Sequence, residues 1–275
     1  YETINIASNV GANTIKDLDA TSAQNIVITG SKNITLSDID MEEQSSSKVS
    51  KVDASALSGK LTMTMTNNEN DQTILGGSND DAITMGFASL DADDTITGNA
   101  GTDTLTLTDF IADIGEVEVD VERIVISSDS TTVGGADTTT IDLRNTTTLT
   151  RLTIDLDDTT ANDTGAVDGA VTVNNIRQGA EVIVEDSFAA TSDILTLDGA
   201  AGATSLSVKF DDTLTTAETT DFNGQVVANY DTLTLKTNDS GTDISIAVLS
   251  ASTNDTLNLS GAGDITITSA TNTTS

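Results

Sequence analysis

The chain contains two nine-residue stretches of closely related sequence, GGSNDDAIT at residues 76–84 and GNAGTDTLT at residues 98–106. Both fit the repeat Gly-Gly-x-Gly-x-Asp-x-aliphatic-x, except that Asn79 and Asn99 each replace a glycine. Both departures preserve a tight turn, because asparagine adopts the left-handed backbone more readily than other residues with side chains. We therefore expect each stretch to form a turn that leads into a short strand with a buried aliphatic residue.

A third acidic turn, DADDTIT at residues 91–97, lies between them, and its Asp94 follows Asp81 by 13 residues (94 − 81) and precedes Asp103 by 9 (103 − 94). Between stacked coils, turn carbonyls and aspartates would supply the roughly six to eight oxygens that Ca²⁺ prefers. The expected calcium ligands are Gly76, Gly77, Asn79, Asp81, Asp91, Asp93, Asp94, Gly98, Asn99, Gly101 and Asp103. Ordinary hairpin turns rich in Gly, Asn and Asp are the alternative interpretation.

Short strand-like stretches recur along the whole chain, including residues 26–28, 61–65, 117–126, 206–208 and 233–235. Each alternates aliphatic residues with Thr, Ser or Asn, a period of two that is typical of strands. Helical periodicity is nearly absent, and its best examples, residues 110–114 and 213–220, would make a turn or two. The unit Asp-x-(Ile/Leu)-x also recurs; its cluster between residues 76 and 106 is typical of a β-solenoid or of stacked sheets, whereas we attribute the isolated copies from residue 193 onward, such as Asp231-Thr-Leu-Thr, to chance.

The predicted fold class is all-β: a parallel β-solenoid or β-roll with calcium-binding turns, flanked by further short-stranded β-solenoid or sandwich segments. The predicted divisions are an N-terminal β segment (1–70), a calcium-binding β-roll (71–110) and a solenoid or sandwich segment (111–275). One continuous elongated domain is the alternative, since no Gly/Ser-rich linker separates these segments.

The composition points away from several classes of function. The chain carries 44 acidic and 11 basic residues, a net charge of −33. Such a charge disfavours nucleic acid as a partner, because binding to its phosphates needs Lys and Arg. It also destabilises a compact fold by self-repulsion unless cations lie among the carboxylates. The acidic residues therefore either bind cations or serve solubility, and charge alone does not distinguish these two roles.

Three residue types are missing altogether: the chain has no His, no Cys and no Pro. Without His or Cys, metal binding is left to oxygen ligands and hard cations. The usual nucleophile–base pairs cannot be assembled either, so we predict that the protein is not an enzyme. We find no apolar run of about 18 residues, so no membrane span is predicted.

The chain resembles the RTX-type S-layer proteins of Gram-negative bacteria, typified by that of Caulobacter. The resemblance rests on VDASALSGKLTM at residues 52–63, which looks like a strand-forming segment of that family. The nonapeptides and a Val-Glu-x-Ile strand at residues 121–124 follow it, as they do in the family. The resemblance covers residues 52–126, and the rest of the chain resembles the family only in its general sequence character.

This family resemblance implies type I secretion, calcium-dependent folding outside the cell and self-assembly into a two-dimensional lattice on the cell surface. The partners implied are further copies of the chain and cell-surface lipopolysaccharide, the latter contacted through a region outside this sequence. An RTX-type extracellular adhesin or filament module is the competing hypothesis. A secreted enzyme with an RTX tail is a weaker one.

Overall fold

A computed structural model of the chain describes residues 2–41, 49–65, 71–86, 89–108, 115–127, 137–155, 169–185, 194–211, 222–238, 244–251 and 256–272. The described residues are nearly all β, and their parallel sheets form a β-solenoid, which confirms the predicted all-β solenoid fold; calcium binding by its turns stays a prediction. The two stretches with weak helical periodicity, residues 110–114 and 213–220, lie wholly outside the described residues. No helix in the described ranges is both long and apolar enough to cross a bilayer.

The chain forms two compact units. Unit 1 comprises Tyr1–Phe110, Ile114–Val125 and Asn145–Leu149, and unit 2 comprises Ile111–Asp113, Ile126–Arg144 and Thr150–Ser275. The predicted boundaries near residues 70 and 110 stay a prediction.

In and at the edge of unit 1 the strands are β1 (Glu2–Ser8), β2 (Asn13–Ile15), β3 (Leu18–Asp19), β4 (Ala23–Gly30), β5 (Ile34–Leu36), β6 (Ile39–Asp40), β7 (Ser50–Leu57), β8 (Leu61–Met65), β9 (Gln72–Leu75), β10 (Ala82–Gly86), β11 (Thr95–Thr97), β12 (Thr104–Thr108), β13 (Gly115–Glu116), β14 (Glu118–Asp120) and β15 (Arg123–Ser127). The first sheet has the order β1-β4-β7-β9-β11-β14, and the second sheet contains β2-β5-β8-β10-β12-β15. β3 and β6 form a separate parallel pair.

Each coil near the nonapeptides contributes one strand to each sheet. Ile74 in β9 pairs with Ile96 in β11, and Ile83 in β10 pairs with Leu105 in β12, so both pairs lie 22 residues apart (96 − 74 and 105 − 83). Two consecutive nonapeptides would give a coil of about 18 residues. The coil is longer because the nonapeptide forms one of its two turns, and the turn that contains Asp94 forms the other.

The core of unit 1 is a thin layer of aliphatic and methionine side chains between the two sheets. The first sheet contributes Ile26, Val52, Ile74, Ile96 and Val119, and the second contributes Met63, Met65, Ile83, Met85, Leu105 and Leu107; all are buried. Thr alternates with these residues because successive side chains of a strand point to opposite faces. Full burial of one such side chain stabilises the fold by about 1.5–3 kcal/mol, so a core without Trp is adequate when it is repeated from coil to coil.

The stretch at residues 117–126, predicted as one strand, is two. β14 ends at Asp120 in the first sheet and β15 begins at Arg123 in the second sheet. The chain turns between them at Val121 and Glu122, where the Glu122 carboxylate accepts a backbone hydrogen bond from the preceding coil. The period-two pattern continues through this turn because Val121 is buried like the strand residues on either side.

In unit 2 the strands are β16 (Asp137–Asp142), β17 (Arg151–Asp155), β18 (Gly169–Ile176), β19 (Glu181–Glu185), β20 (Ile194–Gly199), β21 (Ser205–Phe210), β22 (Phe222–Asn229), β23 (Thr232–Thr237), β24 (Ile244–Ala251), β25 (Thr256–Ser260), β26 (Ile265–Ile267) and β27 (Ala270–Asn272). One sheet has the order β16-β18-β20-β22-β24-β26, with β27 also paired to β24, and the other has the order β17-β19-β21-β23-β25. Paired residues are separated by 30 positions at Leu152 and Val182 (182 − 152) and by 21 at Ile244 and Ile265 (265 − 244). Coil length is therefore variable in this unit.

The aromatic residues that the structure describes in unit 2 lie in its core. The rings of Phe210 and Phe222 pack with their centroids 5.1 Å apart at an interplanar angle of 58°. Tyr230 is buried, and its hydroxyl has no hydrogen-bond partner in the described part of the chain. Burial raises the pKa of this phenol above its usual value, so Tyr230 remains neutral at physiological pH.

Candidate functional site

The two nonapeptide turns stack directly on each other in successive coils of unit 1. We call residues 76–81, between β9 and β10, and residues 98–103, between β11 and β12, the motif turns. The glycines permit the close stacking, since a Cβ on Gly76 would collide with the carbonyl of Gly98, and one on Gly98 would collide with Asp103. Asn99 has a φ of 71°, so asparagine replaces glycine at a left-handed position, as the sequence predicts.

A ladder of carboxylates, buried at Asp81 and Asp103 and half-buried at Glu122, connects the motif turns to neighbouring coils. Oδ1 of Asp81 accepts a hydrogen bond of 2.7 Å from the backbone N–H of Leu61, 20 residues earlier in the chain. Oδ1 of Asp103 accepts one of 2.7 Å from the N–H of Asp81. The ladder continues with Glu122, whose Oε2 accepts a bond of 2.8 Å from the N–H of Asp103. Each carboxylate thus satisfies a buried donor in the coil before it.

The asparagines that depart from the repeat also bond to the preceding coil. The Nδ2 group of Asn79 donates to the carbonyl of Ser58, and that of Asn99 donates to the carbonyl of Gly76 at 2.7 Å. Carbonyls of this kind are among the oxygens that a cation between the turns would need. At these two positions the carbonyls accept hydrogen bonds from side-chain amides, and these bonds, rather than a cation, stabilise the stacked turns.

The turn that contains Asp94 lies in the opposite row of turns, where the chain enters the first sheet. Asp94 is buried, and its two oxygens accept hydrogen bonds from the N–H groups of Gln72 at 2.6 Å and Asp91 at 2.8 Å. Beside it, the carboxylate oxygens of Asp71, Asp91 and Asp93 lie within 4.8 Å of one another. We call these three residues the outer acidic cluster; Asp91 and Asp93 are exposed, and Asp71 is half-buried.

Burial perturbs the acids of both rows. It raises the pKa of Asp94 to about 7, and the neighbouring charges of Asp91 and Asp71 act in the same direction. Burial also raises the pKa of Asp103 to about 6, and the negative charges of Asp81 and Glu122 act in the same direction. The pKa of Asp81 is also raised, chiefly by burial, although bonds from Leu61 and Gly77 oppose the shift.

The predicted ligands differ in how well they suit a cation. Asp81 and Asp94 fit poorly, because both oxygens of each carboxylate already accept backbone hydrogen bonds. Asp103 fits better, since its Oδ2 is buried and has no hydrogen-bond partner in the described part of the chain. The outer acidic cluster also fits, because it offers hard oxygen ligands close together.

Two residues of these sites escaped sequence reasoning. Asp71 joins Asp91 and Asp93 across one coil, and Glu122 completes the ladder above Asp103. Neither lies in a nonapeptide. They could have been found only if the coil length had been known, because each lies about one coil away from its partner. Asp71 precedes Asp91 by 20 residues (91 − 71), and Glu122 follows Asp103 by 19 (122 − 103).

Comparisons with known proteins yield no relatives: no family model, no curated protein and no solved structure matches this chain.

Proposed function

We propose that this protein is a structural, calcium-binding subunit of a bacterial surface layer that assembles with copies of itself into a two-dimensional lattice outside the cell. The observation that carries the proposal is the stack of parallel coils with acidic turns in a chain of net charge −33. In a stack each coil contacts its neighbours and presents similar surfaces repeatedly, which suits a protein that forms repeated contacts with itself.

In this proposal calcium is held by the oxygens that the fold leaves available. These are the carboxylates of the outer acidic cluster and Oδ2 of Asp103. A bound divalent cation would offset the repulsion among these acids and would favour their ionised forms. The same attraction would operate between acidic surfaces of two subunits, which makes calcium a suitable switch for assembly.

The adhesin or filament module is the second candidate, because a stack of parallel coils also suits a spacer that presents a binding region. The absence of His and Cys from the sequence argues against a catalytic role. Type I secretion, surface location and contact with lipopolysaccharide are part of the proposal and rest on the resemblance of residues 52–126 to RTX-type S-layer proteins.

The experiment that tests the proposal is a titration of purified protein with CaCl₂ and, separately, with NaCl of matched ionic strength. Light scattering and negative-stain microscopy report the product. We expect ordered two-dimensional arrays with calcium only. Fibres or monomers that persist in about 10 mM calcium, above the dissociation constants of roughly 0.1–1 mM of extracellular calcium modules, would favour the adhesin or filament module. Arrays that form equally well in NaCl would show that charge screening controls assembly.

A further inference from the structure

The outer face of the second sheet in unit 1 carries threonines in register. Thr62 and Thr64 of β8 are followed by Ala82 and Thr84 of β10 and by Thr104 and Thr106 of β12, and their inward neighbours are the buried core residues. Pairing aligns Thr62, Ala82 and Thr104 in one row, and Thr64, Thr84 and Thr106 in a second. Thr35 and Thr14 extend the first row across β5 and β2. We call Thr62, Thr64, Thr84, Thr104 and Thr106 the threonine array.

The geometry of a parallel sheet gives this array two fixed repeats. Neighbouring strands lie about 4.8 Å apart, and alternate residues of one strand lie about 6.6 Å apart. The repeats are held by continuous backbone pairing from β8 through β10 to β12. The methyl and hydroxyl groups therefore lie on a regular two-dimensional grid, in which Ala82 leaves one position without a hydroxyl.

Two further properties characterise the array. Every outward residue of β8, β10 and β12 is uncharged, although the next strand, β15, carries the exposed Arg123; the outer face of the first sheet carries a Lys51–Asp53 ion pair in β7 and Glu118 in β14. In addition, the side-chain hydroxyls of the threonine array make no hydrogen bonds with the described part of the chain. In a protein of net charge −33, a neutral face of unpaired hydroxyls complements an uncharged ligand rich in hydrogen-bonding groups.

We propose that the threonine array binds an ordered water lattice and that the protein thereby adsorbs to ice. The oxygens of hexagonal ice form planes with two-dimensional repeats close to those of the array, so its hydroxyls can take the place of lattice waters. The methyl groups favour ordered water between the rows. Sugar chains are the less suitable occupant, since this face has no aromatic side chain on which a sugar ring would stack.

The central residue of the array provides the test. Thr84→Lys places a long charged side chain between Thr64 and Thr106. Thr95→Lys is the matched control: Thr95 is an outward threonine of β11, in the same coil as β12, but its neighbours are Thr73 and Glu118 of the first sheet. Inhibition of ice recrystallisation and thermal hysteresis are measured for the wild type and both variants, with circular dichroism as a check of folding.

We expect the wild type and Thr95→Lys to inhibit ice growth equally. Thr84→Lys should need about tenfold more protein for the same effect, which corresponds to about 1.4 kcal/mol of binding free energy. A wild type without any effect on ice would overturn the inference, as would equal losses in the two variants. The inference would also be overturned if Thr84→Lys abolished self-association but left the inhibition of ice growth unchanged. That result would identify a second copy of the chain as the occupant. The inference is independent of the proposed lattice function, because the assembly assay and the ice assay are separate.

Discussion

The backbone N–H of Asp81 donates a hydrogen bond of 2.7 Å to Oδ1 of Asp103, although the two residues are 22 positions apart. Both aspartates occupy the acidic position of a nonapeptide turn, and both are buried. The side chain that suggests a calcium ligand in the sequence thus acts in the structure as a cap for the turn below it. A buried N–H that loses its acceptor costs about 1–3 kcal/mol, so these carboxylates contribute to coil stacking before any cation is considered.

Asp103→Ala should lower the free energy of unfolding by about 1–3 kcal/mol, because the N–H of Asp81 would lose its buried acceptor. Urea denaturation in EGTA measures the effect. Asp231→Ala is the matched control: Asp231 also begins the sequence Asp-Thr-Leu-Thr-Leu, but it is exposed. Asp120 is unsuitable as a control because it accepts hydrogen bonds from the hydroxyls of Thr147 and Thr148. Equal destabilisation by the two variants would show that the ladder has no special importance.

Asn99→Gly should destabilise the protein by about 1 kcal/mol, the usual net contribution of one hydrogen bond, because the variant loses the bond to the Gly76 carbonyl but tolerates the left-handed backbone. Asn99→Ala should cost more, since alanine loses the same bond and is also strained at a φ of 71°. Thermal or urea unfolding in EGTA compares the series. If Asn99→Gly were as stable as the wild type, the hydrogen bond from the side-chain amide of Asn99 would contribute nothing to stability.

Without divalent cations, stability should fall as the pH rises from about 4 to about 7.5. The pKa values of Asp94 and Asp103 are raised to about 7 and about 6 in the folded protein. Between pH 3.8 and these values the folded state binds more protons than the unfolded state, so deprotonation favours unfolding. Melting temperatures in EGTA across this pH range measure the slope. Asp94→Asn should flatten it, and a slope of the opposite sign would contradict these pKa shifts.

Calcium should raise the melting temperature, and Mg²⁺ should not replace it, because Mg²⁺ demands a more rigid octahedral geometry. At a concentration 100 times the dissociation constant, each site would add about 2.7 kcal/mol. The double variant Asp71→Asn/Asp91→Asn should lose part of this increment without a loss of stability in EGTA. Asp17→Asn/Asp38→Asn, which neutralises two exposed acids of the same unit, is the control for net charge. An increment that is unchanged in the first variant would exclude the outer acidic cluster as a calcium site.

The sequence predicts the local features of this fold well. The period-two pattern places Ile83 and Leu105 in the core, and the repeat places Asn99 at a left-handed turn. The sequence did not predict the contacts between coils, because they depend on the number of residues per coil, which varies: it is 20 between Met63 and Ile83 (83 − 63), 22 between Ile83 and Leu105 (105 − 83) and 30 between Leu152 and Val182 (182 − 152). Asp71, Glu122 and the alignment of Thr64 with Thr84 all depend on that register.

The carboxylate ladder has a direction. Asp81 caps Leu61, Asp103 caps Asp81 and Glu122 caps Asp103, and in the opposite row Asp94 caps Gln72, so at these buried donors the acceptor always comes later in the chain. Only the exposed bond from the N–H of Thr102 to Asp80 runs the other way among the carboxylates of the motif turns that the structure describes. A coil therefore becomes complete only when its successor has folded onto it. Growth of the stack from the N-terminal side always leaves one uncapped turn at its leading end, whereas growth from the C-terminal side presents a ready acceptor to each incoming coil. A chain that emerges from a narrow exit with its C-terminal part first would accordingly fold as a zipper in which every added coil finds its cap already in place.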